Sequence, residues 1–214
     1  MIVIVTHNGE PVLKNLLIDI SSFNIPNNKV CIVDNLSKDE SHLKYLKKLK
    51  DDDYNVLYNP KATYEIGAFK YAIETLHDDV WFCLQDSIHI KEDIFSYVTP
   101  KLSDNNVYTF LTAPYAFYDD HNDRFILSLH FGTTKYSKVI FGNMMFAKDS
   151  VMKKVKNDWF IPLNRTEAAA SERAISIVFD RHNIEIMGLG IYDPPKTGDP
   201  NGYSFFQKIY TGRH

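Results

Sequence analysis

The sequence predicts an α/β fold: a mixed sheet, mainly parallel in its N-terminal half with helices on both faces, and with antiparallel additions in its C-terminal half. Three observations lead there. Short apolar runs at residues 2–5, 30–33, 56–58 and 80–84 alternate with segments of helical periodicity, the signature of repeated strand-helix-strand units. Those runs are apolar at every position rather than at every second one, as expected for strands covered on both faces. Beyond Pro100 the rhythm changes to strand-like segments separated by turn-rich sequence.

In chain order, Ile2-Val3-Ile4-Val5 is a β-branched run that ends at Thr6-His7-Asn8-Gly9. Val12, Leu13, Leu16, Leu17 and Ile20 then recur at helical spacing, and Pro11 stands in the first turn of a helix over about 10–22. After a turn at 24–28, Val30-Cys31-Ile32-Val33 runs into Asp34-Asn35-Leu36-Ser37-Lys38-Asp39, followed by a helix with Leu43, Leu46 and Leu49. The lysines and aspartates over 44–53 read as the wet face and end of that helix. A third strand at 56–58 precedes a helix over 66–76 that contains Gly67, and a fourth strand at 80–84 ends in Gln85-Asp86-Ser87. Ligands of such sheets bind outside the carboxyl ends of the strands, which is where Thr6, Asp34 and Asp86 fall.

Further on, 107–112 and 124–131 read as strands joined by a turn-rich loop at 118–123. Residues 139–146 read as a strand broken by Gly142-Asn143, 166–182 as a helix, and 184–187 as a closing strand. The tail over 193–214, with Pro194, Pro195, Gly198, Pro200 and Gly202, reads as a loop.

Composition narrows the function classes. A chain of 214 residues with 44% hydrophobic and 24% charged side chains can bury one sizeable core, so one domain is expected. A net charge of −3 lacks the basic footprint of a nucleic-acid binder. The apolar runs are too short to cross a bilayer and no basic leader precedes them, so a soluble chain without a signal peptide is expected. Cys31 and Cys83 lie inside apolar runs and read as buried thiols of a reducing compartment, the cytoplasm.

The ordered set of Thr6-His7-Asn8 after the first strand, Val33-Asp34-Asn35-x-Ser37-x-Asp39 after the second, Gly67, and Gln85-Asp86-Ser87 after the fourth resembles the GT-A (Rossmann-like) glycosyltransferases. The inverting family 2 is the most similar group, over residues 1–187. A GT-A domain of this size is also similar to those that large viruses encode to decorate their surface proteins, which would place it in the host cytoplasm. The resemblance implies a single GT-A domain with a nucleotide-binding half at 1–100, an acceptor and catalytic half at 101–190, and a C-terminal loop at 191–214. It implies transfer of a hexose or deoxyhexose from a nucleoside diphosphate sugar, a UDP-sugar favoured, to a glycan, lipid or protein-linked acceptor.

Roles follow from the same resemblance. Thr6, His7, Asn8 and Asp34 would surround the base and ribose; a strand-ending Asx turn is the alternative for Asp34. Asp86, with Ser87, would hold Mn²⁺ or Mg²⁺ at the diphosphate beside Gln85, although the triplet carries one carboxylate where the family's Asp-x-Asp has two. Gly67 would let the donor approach the backbone, or else serve close helix packing. Gly142 and Asn143 match a small-residue stretch where donor sugar and acceptor meet. Counting back from Asn183-Ile184-Glu185-Ile186 makes Glu172 the general base and Glu167 the fallback; partnering a helix dipole is the ordinary alternative for either. The tail, with Lys196, Gly198, Lys208, Arg213 and His214, would fold over the diphosphate. Tyr108, Phe110, Tyr115, Phe117 and Tyr118 offer either an acceptor platform or core packing. A non-catalytic sugar-nucleotide or glycan-binding module is the rival reading on the same fold. A nucleotidylyltransferase or a dehydrogenase fits less well, since no glycine-rich phosphate loop follows a strand.

Overall fold

The computed structural model describes residues 1–61, 63–113, 121–191 and 205–209. Its strands are β1 (Ile2–Thr6), β2 (Val30–Asp34), β3 (Asn55–Tyr58), β4 (Val80–Gln85), β5 (Ile88–Ile90), β6 (Asn106–Ala113), β7 (Val139–Ile140), β8 (Met145–Lys148), β9 (Glu185–Ile191) and β10 (Phe206–Lys208). Its α-helices are α1 (Glu10–Ser21), α2 (Glu40–Asp51), α3 (Tyr64–Thr75), α4 (Ile94–Val98), α5 (His121–Phe131), α6 (Asp149–Val155) and α7 (Arg165–Arg181).

Alternate residues of the central strands supply two separate cores. Ile2, Ile4, Ile32, Phe82 and Leu84 pack under Leu13, Leu16 and Ile20 of α1, Leu46 and Leu49 of α2, and Ile94 of α4. Val3, Val5, Cys31, Val33, Trp81 and Cys83 pack under Phe69 of α3, Val151 of α6, and Val178 and Phe179 of α7. Unbroken apolar runs therefore arise because each strand has a helical layer on both sides. The main sheet runs β3-β2-β1-β4-β8-β6, with β7 and β9 also pairing to β6. β1 to β4 are mutually parallel, β8 is antiparallel to β4 and β6, and β7 is antiparallel to β6, whereas β9 joins β6 in parallel. Cys31 and Cys83 are free and fully buried; burial pushes the Cys31 thiol up to about 12 and raises Cys83 as well.

Two expectations are corrected. Residues 124–131 form α5, not a strand. Phe125, Leu127 and Leu129 mimic strand alternation, yet Phe125 and Leu129 are exposed, and the residues that face inward are Asp123, Leu127 and Phe131, spaced four apart. Asp123 anchors the helix through a buried ion pair to Arg173 of α7 at 2.5 Å. The tail is not wholly loop: β10 pairs antiparallel with β5, and Phe206 is buried against the Phe110 ring, centroids 4.5 Å apart. Lys196, Gly198, Arg213 and His214, with Tyr115, Phe117 and Tyr118, lie outside the described residues. The break at Gly142-Asn143 is a turn of 3-10 helix between β7 and β8, with positive φ at both residues.

Candidate active site

Strand register brings the polar ends together. Thr6 stands opposite Asp34 in the β1-β2 ladder, and Val5 opposite Gln85 in the β1-β4 ladder. The ladders continue one residue past the strands, with the Asp86 N–H donating to the Val5 carbonyl at 3.1 Å and the Asn35 N–H to that of Thr6 at 2.9 Å. Side chains at this level consequently meet without any unusual backbone.

They form a buried polar chain. The Thr6 hydroxyl donates to Asp86 Oδ2 at 2.7 Å. His42 Nε2 lies 3.5 Å from Thr6 Oγ1 and 3.8 Å from Asp34 Oδ1. Since Thr6 gives its proton to Asp86, Nε2 is the protonated nitrogen of His42. Thr6, Asp34, Asp86 and His42 are all buried. Burial lowers the His42 pKa more than the neighbouring carboxylates Asp34 and Asp86 raise it, which keeps the ring neutral. His42 Nδ1 has no hydrogen-bond partner among the described residues. Asp34 also accepts the Ser37 N–H at 3.3 Å, so the Asx turn exists alongside any ligand role.

His7 and Asn8 brace the rim. The exposed His7 ring donates from Nδ1 to the Asn35 carbonyl at 2.9 Å and accepts the Asn8 amide on Nε2 at 3.1 Å. Asn8, at φ +50°, accepts the Lys38 and Asp39 N–H groups on its side-chain oxygen and donates its own N–H to Ser37 Oγ. The turn after β1 is thereby stitched to the turn after β2. Gly67 is explained within the chain, because a Cβ there would sit 2.2 Å from the Thr63 side chain.

A second cluster surrounds Gln85. Its amide nitrogen donates to Glu65 Oε1 at 3.1 Å and to the Gly142 carbonyl at 3.0 Å. Its oxygen accepts the ammonium of Lys208, which also donates to Ser87 Oγ at 2.8 Å. The Gly142 N–H, at φ +65°, donates to Glu172 Oε1 at 3.1 Å, and buried Asn143 donates to Ser171 Oγ at 3.0 Å. Burial pushes the half-buried Glu172 carboxyl up to about 7, with the nearby Glu65 charge adding to the rise and Arg173 opposing it. Glu65 is raised chiefly by burial too. Glu167 stands apart: it accepts the Leu163 N–H at 2.7 Å and the Asn164 side-chain amide at 2.8 Å, while the Asn164 side chain accepts its N–H, a reciprocal N-cap at the start of α7.

The donor set for a divalent cation is small. Among the described residues no three His, Cys, Asp or Glu side chains converge as a metal cluster would. Asp86 offers one carboxylate and the Ser87 hydroxyl is engaged by Lys208. Such a set fits a hard cation when diphosphate oxygens and water complete its shell. His89 faces elsewhere, bonded to Asp19 at 3.0 Å.

Sequence reasoning missed His42 and Glu65. His42 shares a helix face with Leu46 and Leu49, and a histidine in that company was the available signal. Glu65 lies in the first turn of α3 and reads there as an ordinary helix-start acid.

Comparisons with known proteins bear on the family and the fold. The model of glycosyl transferase family 2 matches residues 1–159. No curated protein matches significantly. Among solved structures, GalNAc-T7 with UDP, GalNAc and Mn²⁺ superposes at a TM-score of 0.61 and 11% identity, covering 89% of this chain and 43% of its own. S. aureus TarS gives 0.58 at 12% identity, covering 98% of this chain and 36% of its own. The mannosyltransferase PcManGT from Pyrobaculum calidifontis, in complex with GDP-Man and Mn²⁺, gives 0.57 at 12%, covering 92% and 57%. The chain thus spans between a third and three-fifths of the length of these structures, and the likeness is one of fold, GT-A. With three quarters of its length inside the family model, the chain belongs to glycosyl transferase family 2.

Proposed function

We propose that the chain transfers a hexose or deoxyhexose from a nucleoside diphosphate sugar, a UDP-sugar favoured, to the hydroxyl of a glycan, lipid or protein-linked acceptor, with inversion. The observation that carries this reading is Glu172: a half-buried carboxylate held by the Gly142 N–H at 3.1 Å, with its pKa raised to about 7. That is the range in which a general base is half-ionised at neutral pH and still basic enough to take a proton. In the step, the acceptor hydroxyl gives its proton to Glu172 while its oxygen bonds to the anomeric carbon. The bond from that carbon to the diphosphate oxygen breaks, and the nucleoside diphosphate leaves with the electron pair.

Thr6, His7, Asn8 and Asp34 would receive the nucleoside, and Gln85, Gly142 and Asn143 the sugar end. Asp86, with diphosphate oxygens, would carry Mn²⁺ or Mg²⁺, whose chemistry is to neutralise the leaving group. The Mn²⁺ complexes of GalNAc-T7 and PcManGT support that cation. In this reading residues 1–100 form the donor half and 101–190 the acceptor half of one domain.

The test is nucleotide release from UDP- and GDP-sugars by wild type and Glu172→Gln. Loss of the base should lower kcat by roughly 10²- to 10⁴-fold with nucleotide affinity unchanged. The single carboxylate of Gln85-Asp86-Ser87 favours a second reading, a binding module without turnover. Tight nucleotide binding with no release from any sugar donor would select it.

A further inference from the structure

The buried face of α2 consists of Leu46, Leu49 and one polar side chain, His42. His42 lies one turn before Leu46 and, like it, is wholly buried. Its backbone is pinned there, because the Asp39 side chain that caps α2 accepts the His42 N–H at 2.8 Å. A leucine would fill such a position with every group satisfied, whereas histidine leaves Nδ1 with no hydrogen-bond partner among the described residues. Packing therefore does not account for the imidazole; what the ring offers is its other nitrogen.

That nitrogen, the protonated Nε2, faces two acceptors, Thr6 Oγ1 at 3.5 Å and Asp34 Oδ1 at 3.8 Å. Both separations are at or beyond the limit of a hydrogen bond, so the N–H is shared and its dipole acts on the two oxygens together. The acceptors differ in what else holds them. Thr6 is fixed by its own 2.7 Å bond to Asp86. The Asp34 carboxylate has the Ser37 N–H as its hydrogen-bond partner among the described residues, shared at 3.3 Å between both oxygens, so the twist of the carboxylate about its Cβ–Cγ bond is left to His42. We propose, on the basis of the donor-site reading above, that His42 is a positioning residue that orients the Asp34 carboxylate for the nucleoside. It acts on the nucleoside end of the donor and not on the diphosphate end at Asp86.

The experiment is calorimetric titration of UDP, GDP, dTDP and CDP over a range of Mn²⁺ concentrations into wild type, His42→Leu and His42→Gln, with thermal melts to confirm folding. Glutamine can bring an amide N–H to the place of Nε2–H, and leucine has none. For the nucleotide that wild type binds, His42→Leu should lose roughly tenfold or more in affinity and His42→Gln should regain most of it. The Mn²⁺ concentration at half effect should be the same in all three proteins, since Thr6 still holds Asp86. His42→Leu matching wild type, a folded His42→Gln as weak as His42→Leu, or a raised Mn²⁺ requirement overturns the proposal, while wild-type binding leaves the donor site standing. A second measurement needs no variant to fold. His42 is the one buried histidine among the described residues, so its N–H should give a slowly exchanging imidazole resonance in NMR spectra of wild type. Nucleotide should shift that resonance; saturation that leaves it unmoved overturns the proposal. Failure of wild type to bind any of the four nucleotides defeats the donor-site reading and this proposal together.

Discussion

Glu172 and Glu65 sit on different helices, α7 and α3, and are joined through Gly142 and Gln85 rather than by direct contact. The Glu65 charge nevertheless adds to the rise of the Glu172 pKa. Activity should rise with pH through about 7 as Glu172 ionises. Glu65→Gln removes one of the charges that raise Glu172, so the acid limb of the kcat/KM profile should move to lower pH, whereas an unmoved limb would show no coupling. The same shift bears on stability. A carboxyl raised from 4.5 to about 7 in the folded state contributes stability fully below 4.5 and loses it as pH climbs through about 7. Thermal melts of Glu172→Gln should lack that decline. At this scale the convergence of Thr6, Asp34 and Asp86 was legible because strand ends can be counted along the sequence, whereas Glu172 was reached through the family resemblance. Lys208 with Gln85 was not, since 123 residues separate them and only the folded sheet makes them neighbours.

Among elements, α5 shows how local pattern misleads. Its sequence alternates like a strand at 125–129, and the decisive information is the Asp123–Arg173 pair, in which both side chains are buried. Breaking one side of a buried charge pair leaves the remaining ion less well compensated, so Asp123→Ala should lower stability by up to roughly 3–5 kcal/mol. Replacing both, as in Asp123→Leu with Arg173→Met, should restore much of the loss; chemical denaturation measures both. β10 was hidden for a related reason: glycines and prolines dominate the tail over 193–202, and Phe206 packs on Phe110, a residue of β6 in the main sheet, far away in sequence. The parallel half carried its own evidence, because each strand and its following helix lie within one stretch of sequence.

Across the whole molecule, the sheet turns three strand ends toward one edge, and α7 and β10 bring Glu172 and Lys208 to it from the C-terminal half. No helix among the described residues is long and apolar enough to cross a membrane. In the proposed function this edge is a nucleoside diphosphate site. The most direct measurement is titration of UDP, GDP, dTDP and CDP, with and without Mn²⁺, into wild type and Asp86→Ala. One nucleotide should bind, Mn²⁺ should tighten it, and Asp86→Ala should remove the Mn²⁺ effect. Absence of binding by all four to a folded wild-type protein would contradict it.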